Sequence, residues 1–394
     1  MLSLSLMLLA SQFEWSQIEF DTHVRARAGH NSLSDTAGGT SGSSSAGGIH
    51  VRSMATMALN DFSSLTLAGR IHADSFGDET GVHLDIEAYF DADQLWGDSQ
   101  LRIGRMGLEF GNGILISSNP WSFEENIHDA VLWQTNFFEN DFDFFGSSAV
   151  TGEAAANNSQ MIGVHGEYEI DSNGLLETYW FKHDKDDMGV SEYNIALRLA
   201  SRTSNGLNYD LMLMLQNGTD GPQEITSNAY LINLSKQLDF GHGVGVGLAV
   251  AQGDKPATPE QLSGARKFVR ESYTPVMIDF HKYNGRADIL AFSNLMDFSF
   301  NYWLNWNERW AIHVDAHSFL RQSTADGVYF GNEAAMSAAA NDDAEIAREI
   351  DFYLEGEISD NLNLDFGLSL FSPQGAIVHY KEQFIVFLQG EYSF

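Results

Sequence analysis

The chain has 394 residues, no cysteine, and 54 acidic against 21 basic residues, which gives a net charge of −33. The lack of cysteine excludes a disulfide framework and thiolate metal sites, and the acidity argues against nucleic acid as a partner, because phosphate binding needs a basic face. The 36 glycines and 27 phenylalanines, against 6 prolines, favour a large antiparallel β structure over a disordered acidic chain.

The first predicted element is an apolar stretch, MLSLSLMLLASQ, at residues 1–12. About ten apolar residues match the core of a secretory signal peptide and are too few to span a membrane as a helix. We therefore expect a signal-peptide remnant here; a packed or disordered N-terminal segment is the alternative. No later stretch approaches the roughly 18 apolar residues that a membrane helix needs, which excludes a helical membrane protein.

Alternation of apolar and polar residues recurs along the rest of the chain. In residues 206–218, Leu211 and Leu213 share one face of a predicted strand, and Asp210 and Met212 share the other. The period is two, and each segment has about ten residues, the length that crosses a bilayer as a tilted strand. The predicted strands are residues 16–28, 48–59, 64–72, 81–90, 99–110, 129–137, 142–150, 161–170, 175–184, 193–203, 206–217, 227–239, 244–253, 289–304, 310–322, 346–358, 362–372 and 381–394.

The predicted connections alternate between short and long. The short ones are residues 60–63, 171–174, 203–206, 239–243, 305–309 and 359–361, and the long ones include 29–48, 111–128, 254–288 and 323–345. An even strand number with such sorting is typical of bacterial outer-membrane barrels. A soluble sandwich shares the alternation but gives no reason to sort its loops.

The sequence therefore predicts an all-β protein, a transmembrane antiparallel β-barrel of about 18 strands. Residues 13–394 form this single domain, with short periplasmic turns and long extracellular loops. We expect it in the bacterial outer membrane, with the lipid bilayer as its surroundings.

The segment FLQGEYSF predicts a second partner. Tyr392 and Phe394 share a face with Leu388 and Gly390, and a terminal aromatic residue after alternating apolar ones resembles the recognition signal of the outer-membrane assembly machinery. An ordinary last strand is the alternative interpretation.

The stretch LRIGRMGLEFGNGILI, residues 101–116, places two arginines three residues apart in one strand. Leu101 and Ile103 predict that the odd-numbered residues face the lipid. Met106 and the apolar residues after it predict that the even-numbered residues do so, which means that the alternation changes within the strand. We expect a β-bulge at Gly104–Arg105 that turns both Arg102 and Arg105 into the lumen.

This stretch resembles the conserved segment of the alginate-export outer-membrane family. The matching residues are Arg102, Gly104, Arg105, Leu108, Gly111 and Trp121. The resemblance implies an eighteen-stranded barrel that carries an anionic uronate polysaccharide outward through an arginine-lined lumen.

Strand parity adds further basic residues to the predicted lumen. The predicted pore-lining set is Arg25, Arg27, Arg52, Arg70, Arg102, Arg105, Arg198, Arg202 and Arg321. Guanidinium groups suit carboxylates because they stay charged and offer a planar fork of donors. The alternative is that these arginines brace the wall by pairing with the lumen acids Glu19, Asp21, Asp85, Glu87 and Glu109.

A second, acidic sector is predicted from Asp351, Glu355, Glu357 and Asp365. Basic and acidic sectors together produce a transverse field, as in constrictions that sort small polar solutes. The net charge of −33 opposes passage of a polyanion unless the acids lie elsewhere or bind cations.

We expect a passive channel for an anionic saccharide, alginate-like polysaccharide or oligo-uronates. The alternatives are a less selective uptake porin for small acids or sugars, and a barrel-embedded hydrolase. No serine motif indicates a hydrolytic triad, so we expect no enzyme, no catalytic residue and no cofactor. Two clusters could bind metal: Asp184, Asp186 and Asp187, as a loop site for Ca²⁺, and His313, Asp315 and His317. A solvated loop and ordinary lumen polarity are the simpler interpretations.

Overall fold

The computed structural model describes residues 18–31, 44–74, 81–122, 125–151, 158–203, 205–263, 267–276, 280–331, 341–377 and 380–394. The predicted signal-peptide remnant at residues 1–12 and most of the predicted loop at 29–48 lie outside these residues.

Eighteen long strands form one closed antiparallel barrel. They are β1 (Ile18–Asn31), β2 (Ser44–Asn60), β3 (Ser63–Asp74), β4 (Gly81–Asp93), β5 (Gln100–Gly107), β6 (Ile127–Phe137), β7 (Asn140–Ala149), β8 (Ser159–Asp171), β9 (Gly174–Lys185), β10 (Val190–Arg202), β11 (Leu207–Asp220), β12 (Gln223–Gln237), β13 (His242–Ala251), β14 (Leu295–Asn305), β15 (Trp310–Arg321), β16 (Glu345–Ser359), β17 (Leu362–Pro373) and β18 (Gln383–Ser393). Each strand pairs with the next, and β1 closes the barrel against β18. The predicted fold is confirmed.

The connection between β13 and β14 holds two short α-helices and a two-residue strand, and 3-10 turns at Asp186–Met188, Asp239–Gly241 and Gly375–Ile377 lie in other connections. Helices α1 (Pro259–Leu262) and α2 (Phe280–Tyr283) each have four residues, and the two-residue strand Val269–Arg270 pairs in parallel with β12. No helix in the described ranges is long and apolar enough to cross a membrane.

The two ends of the barrel differ in their connections. At the short-turn end, β1 begins and β18 ends, and Thr22 and Phe394 exchange backbone hydrogen bonds of 2.9 and 3.0 Å. The opposite, long-loop end carries the connections 108–126, 252–294 and 322–344. The predicted separation of short and long connections between the two ends is not complete, because the long-loop end also has the tight turn 221–222 between β11 and β12.

The two faces of each strand follow the predicted period of two. Leu213 on β11 is 45% exposed on the outer wall, while its neighbours Met212 and Met214 are 3% and 1% exposed. Outward apolar residues alternating with inward ones are what a lipid-facing barrel wall requires.

The predicted strand at 99–110 ends early, at Gly107. The chain then turns into the barrel, and Leu108, Phe110 and Ile114 are buried inside. Phe110 packs against Phe145 of β7, with ring centroids 4.9 Å apart. The outward facing predicted for this segment is wrong because its apolar residues pack on the inner wall.

Candidate functional site

Two connections from the long-loop end fill part of the lumen and meet at an aromatic stack. The rings of Trp121, from connection 108–126, and His281, on α2, lie 3.5 Å apart and nearly parallel. Asp288 accepts a hydrogen bond from Trp121 Nε1 at 2.9 Å and contacts His281 Nδ1 at 3.0 Å. The stack therefore joins the two connections across the channel.

Arg25 and Arg27, neighbours on the inner face of β1, hold this stack from the wall. Arg25 donates to the main-chain carbonyls of Pro120 and Ser122. Arg27 donates to the Trp121 carbonyl at 2.6 Å, and its guanidinium carbon lies 3.5 Å from the indole centroid. Both arginines face the lumen as predicted, and both anchor connection 108–126.

Arg52 and Arg70 face the lumen from β2 and β3, where they bind acids. Glu87 accepts hydrogen bonds from Arg52 at 2.9 Å and from Arg70 at 2.7 Å. Arg70 also donates to Glu125 at 2.6 Å. Burial raises the pKa of the Glu125 carboxyl group, and the Arg70 charge opposes that rise. These contacts brace the wall.

Arg102 and Arg105 do not share a face, and the predicted bulge is absent. The register of β5 is unbroken against both β4 and β6. Arg102 points inward and donates to Asp91 at 2.7 Å. Arg105 lies on the outer wall with Ile103 and donates to Asp129 at 2.8 Å. Arg105 is therefore not a pore-lining residue.

Glycine explains how the strand continues without an inserted residue. Gly104 has a φ of 138°, and a side chain there would collide with the Ala88 carbonyl oxygen of β4. Only glycine readily adopts this backbone angle. The unusual φ of Gly104 allows β4 to approach closely without an inserted residue, so the alternation of inward and outward residues along β5 is unchanged.

The three remaining predicted arginines occupy different surroundings. Arg198, on β10, faces the lumen and donates to Glu177 and Asp210, each at 2.8 Å. Arg202 is exposed at the short-turn end of the same strand. Arg321 is 2% exposed and donates to main-chain carbonyls of connection 322–344, so it is buried beneath that connection and does not line open space.

Sequence parity missed Arg286 and Lys282, because both lie in a connection. Arg286 donates to Glu355 at 3.0 Å and to Asp365 at 3.4 Å, and its guanidinium lies 3.4 Å from the Tyr353 ring centroid. Burial works against the charged form of Arg286, but Tyr353 and the two acids outweigh it and raise its pKa. The basic and aromatic run HKYNGR at 281–286 was the available signal.

The inner wall and the two connections line an open cavity of about 660 Å³. Its lining includes the basic residues Arg25, Arg198, Lys282 and Arg286 and the acidic residues Asp210, Asp297, Asp315, Asp351 and Glu391. A second cavity, of about 790 Å³, opens at the short-turn end and is lined by the acids Glu308, Glu355, Glu357, Asp365 and Glu391, with Arg309 as its basic residue. The predicted acidic sector thus divides between both cavities.

The two predicted metal clusters have other contacts. Asp184 accepts from Lys182 at 2.6 Å, and within the described ranges Asp184, Asp186 and Asp187 do not converge as a ligand group. His317 contacts Asp297 at 2.8 Å, and Asp315 accepts from the Tyr353 hydroxyl at 3.0 Å. His313, Asp315 and His317 thus lie on the polar inner wall of the barrel.

The family described as alginate export matches residues 16–383. The chain belongs to the alginate export family. Its predicted resemblance to that family is confirmed, and with it the class of the molecule, an outer-membrane β-barrel channel. The comparison with curated proteins gives no match.

Solved barrels from Pseudomonas aeruginosa share this fold. OpdL aligns with a TM-score of 0.66 at 10% identity, over 96% of this chain and 99% of its own. OccK8 (OprE) aligns with 0.66 at 11%, over 96% and 98%, and OccK11 (OpdR) with 0.61 at 12%, over 96% and 97%. Identities this low show a common architecture.

Proposed function

We propose that this barrel lies in the bacterial outer membrane, with its short turns in the periplasm and its long connections outside. It conducts an anionic saccharide, alginate-like polysaccharide or oligo-uronates, by diffusion. Membership of the alginate export family supports the substrate class. The observation that carries the proposal is the 660 Å³ cavity, whose lining presents bases and acids together.

A uronate sugar carries both kinds of complementary group. Its carboxylate accepts from guanidinium and ammonium groups, and its hydroxyls donate to carboxylates. In the cavity, Lys282 offers a donor, and Asp297 and Asp351 offer the acceptors. The volume is in the range of small-ligand sites, and competition from water keeps binding weak, as conduction requires.

The contacts of the basic residues decide which of them can attract an anionic substrate. Arg52, Arg70, Arg102 and Arg198 are paired with carboxylates, so their charge is largely offset. Lys282 donates to the carbonyl of Asn112, and such a contact leaves a positive charge in place. We therefore assign the anion contact to Lys282 rather than to a continuous arginine ladder.

A less selective uptake porin for small acids or sugars is the second candidate. The acids around the short-turn cavity favour it, because Glu308 and Glu357 repel a polyanion. A porin of this kind passes neutral and charged sugars of equal size at similar rates.

Flux into proteoliposomes tests the proposal. We expect oligo-uronates to enter faster than neutral oligosaccharides of the same length, with no cleavage product, which also excludes a hydrolase. Lys282→Gln should remove much of this preference. Lys255→Gln is the matched control, because Lys255 lies in the same connection and pairs with Glu271 at 2.5 Å. Equal rates for the two sugars in the unmodified barrel contradict the proposal.

A further inference from the structure

A histidine and two glutamates converge on the inner wall between β8 and β9, apart from the cavity described above. One ligand atom from each of His165, Glu167 and Glu177 lies within 4.8 Å of the other two. His165 and Glu177 are each 1% exposed, whereas the Glu167 side chain is 39% exposed. The cluster is thus buried on two sides and open to water on the third.

The hydrogen bonds of His165 fix its tautomer. Its Nδ1 lies 3.0 Å from Asp143 Oδ2, and a carboxylate can only accept, so the proton is on Nδ1. Asp143 is itself held by Gln134, which donates to the other carboxylate oxygen at 2.8 Å. A carboxylate behind the ring is the arrangement that orients metal-binding histidines.

Within the described part of the chain, the opposite nitrogen of the ring has no hydrogen-bond partner. His165 Nε2 is buried, and the nearest acidic atom, Glu167 Oε1, lies 3.8 Å away. A bare lone pair beside two carboxylates is costly to bury without a partner. This unpaired nitrogen, aimed at the two glutamates, points to a cation between them.

The surrounding charge also favours a cation. Glu177 accepts from Arg198 at 2.8 Å and from the Tyr179 hydroxyl at 2.8 Å, so one guanidinium is close. Glu167, Glu177, Asp143 and Asp210 supply four carboxylates against that one guanidinium, an excess of three negative charges.

We propose that His165, Glu167 and Glu177 bind a divalent first-row transition ion of the Zn²⁺ class. One imidazole nitrogen and two carboxylate oxygens suit such an ion better than Ca²⁺, which prefers six or more oxygens. Bond lengths of about 2.0–2.2 Å require the three side chains to close by small rotations. Water completes the coordination, and the ion enters past Glu167.

The site lies directly beneath the start of connection 108–126. Phe110 lies 5.6 Å from the His165 ring, and a side chain at Gly111 would collide with Glu177 and Tyr179. An ion held here therefore joins β8 to β9 beneath a tightly packed part of this connection.

Metal titration of the folded, chelator-stripped barrel in detergent tests the proposal. We expect one Zn²⁺ per chain by equilibrium dialysis, and Co²⁺ as a probe with visible absorption bands of a nitrogen- and oxygen-ligated ion. His165→Asn and Glu167→Gln should each weaken binding at least about tenfold, and Asp143→Asn by about 10–100-fold.

His183→Asn is the matched control. His183 is equally buried on the same wall, but both its nitrogens are bonded, to Ser159 at 2.6 Å and Glu192 at 3.1 Å, so its replacement should leave Zn²⁺ affinity unchanged. Glu167→Gln alters a partly exposed residue and so keeps the test valid where the histidine variant fails to fold. Absence of stoichiometric binding to the unmodified barrel, or equal affinity in the Glu167→Gln variant, overturns the proposal. Neither result depends on saccharide transport.

Discussion

The guanidinium of Arg27 lies 3.5 Å from the centroid of the Trp121 indole, which ties the first strand of the barrel to the connection that follows β5. The Trp121 ring in turn stacks on His281. Connection 108–126 is thus held between the wall and connection 252–294, and the width of the channel at this level depends on contacts that single substitutions can remove.

Arg27→Ala should loosen connection 108–126. The loss of the ring contact removes up to about 2 kcal/mol, the value for a desolvated cation–π pair, and the Trp121 carbonyl loses its donor. We expect a larger and noisier single-channel conductance. Arg105→Ala, on the outer wall, is the control, and identical current traces for Arg27→Ala and the unmodified barrel would show that this contact does not hold the channel narrow.

Ile232 and Asn233 are neighbours on β12 with opposite facing. Ile232 is 38% exposed on the outer wall, and Asn233 lines the inner cavity. Ile232→Arg should lower the free energy of unfolding in lipid vesicles by roughly 2–4 kcal/mol, the cost of arginine near mid-membrane. Asn233→Arg should cost less, because it lies opposite Asp210. Equal losses at the two positions are incompatible with the assigned faces.

Arg105→Gln should leave ion selectivity unchanged, because Arg105 pairs with Asp129 on the outer wall. The reversal potential in a salt gradient is the measurement. Lys282→Gln, which removes a charge from the cavity lining, should shift that potential toward cation selectivity. A shift of the reversal potential caused by Arg105→Gln would show that the guanidinium lies in the lumen, as the predicted bulge requires.

Phe394 has two proposed roles, as an assembly signal through its ring and as part of the closing seam through its backbone, and substitutions can separate them. Its backbone pairs with Thr22 at the closing seam, and its side chain is 64% exposed on the outside. If the ring is the assembly signal, Phe394→Ala should lower the yield of folded barrel in the outer membrane while the backbone bonds remain possible. Normal yield for Phe394→Ala, with reduced yield only on deletion of the residue, assigns its importance to closure of the seam.

The strands and their facing were predictable because the lipid and the lumen impose a period of two. That rule placed Leu213 outward and Arg198 inward, as the structure has them. It failed at Met106, where burial comes from a connection packed inside the barrel. An inner apolar surface and an outer one look alike in sequence, so the change of parity was misread as a bulge.

The site was predictable only in part. Arg25 and Arg27 were found because they lie on a regular strand, whereas Lys282 and Arg286 lie in a connection whose path no periodicity defines. The pairing of Arg102 with Asp91 follows from cross-strand register, which a sequence without its strand pairing does not give. The unpaired nitrogen of His165 is likewise visible only once its neighbours are placed.

Single-channel recording of the purified barrel in a planar bilayer, with oligo-uronate added to one side, tests the central claim most directly. We predict an open channel whose current is blocked briefly and reversibly by oligo-uronates, at lower concentration than by neutral oligosaccharides of equal length, with the difference reduced in Lys282→Gln. Equal block by charged and neutral oligosaccharides, or a bilayer with no channel current, would contradict it.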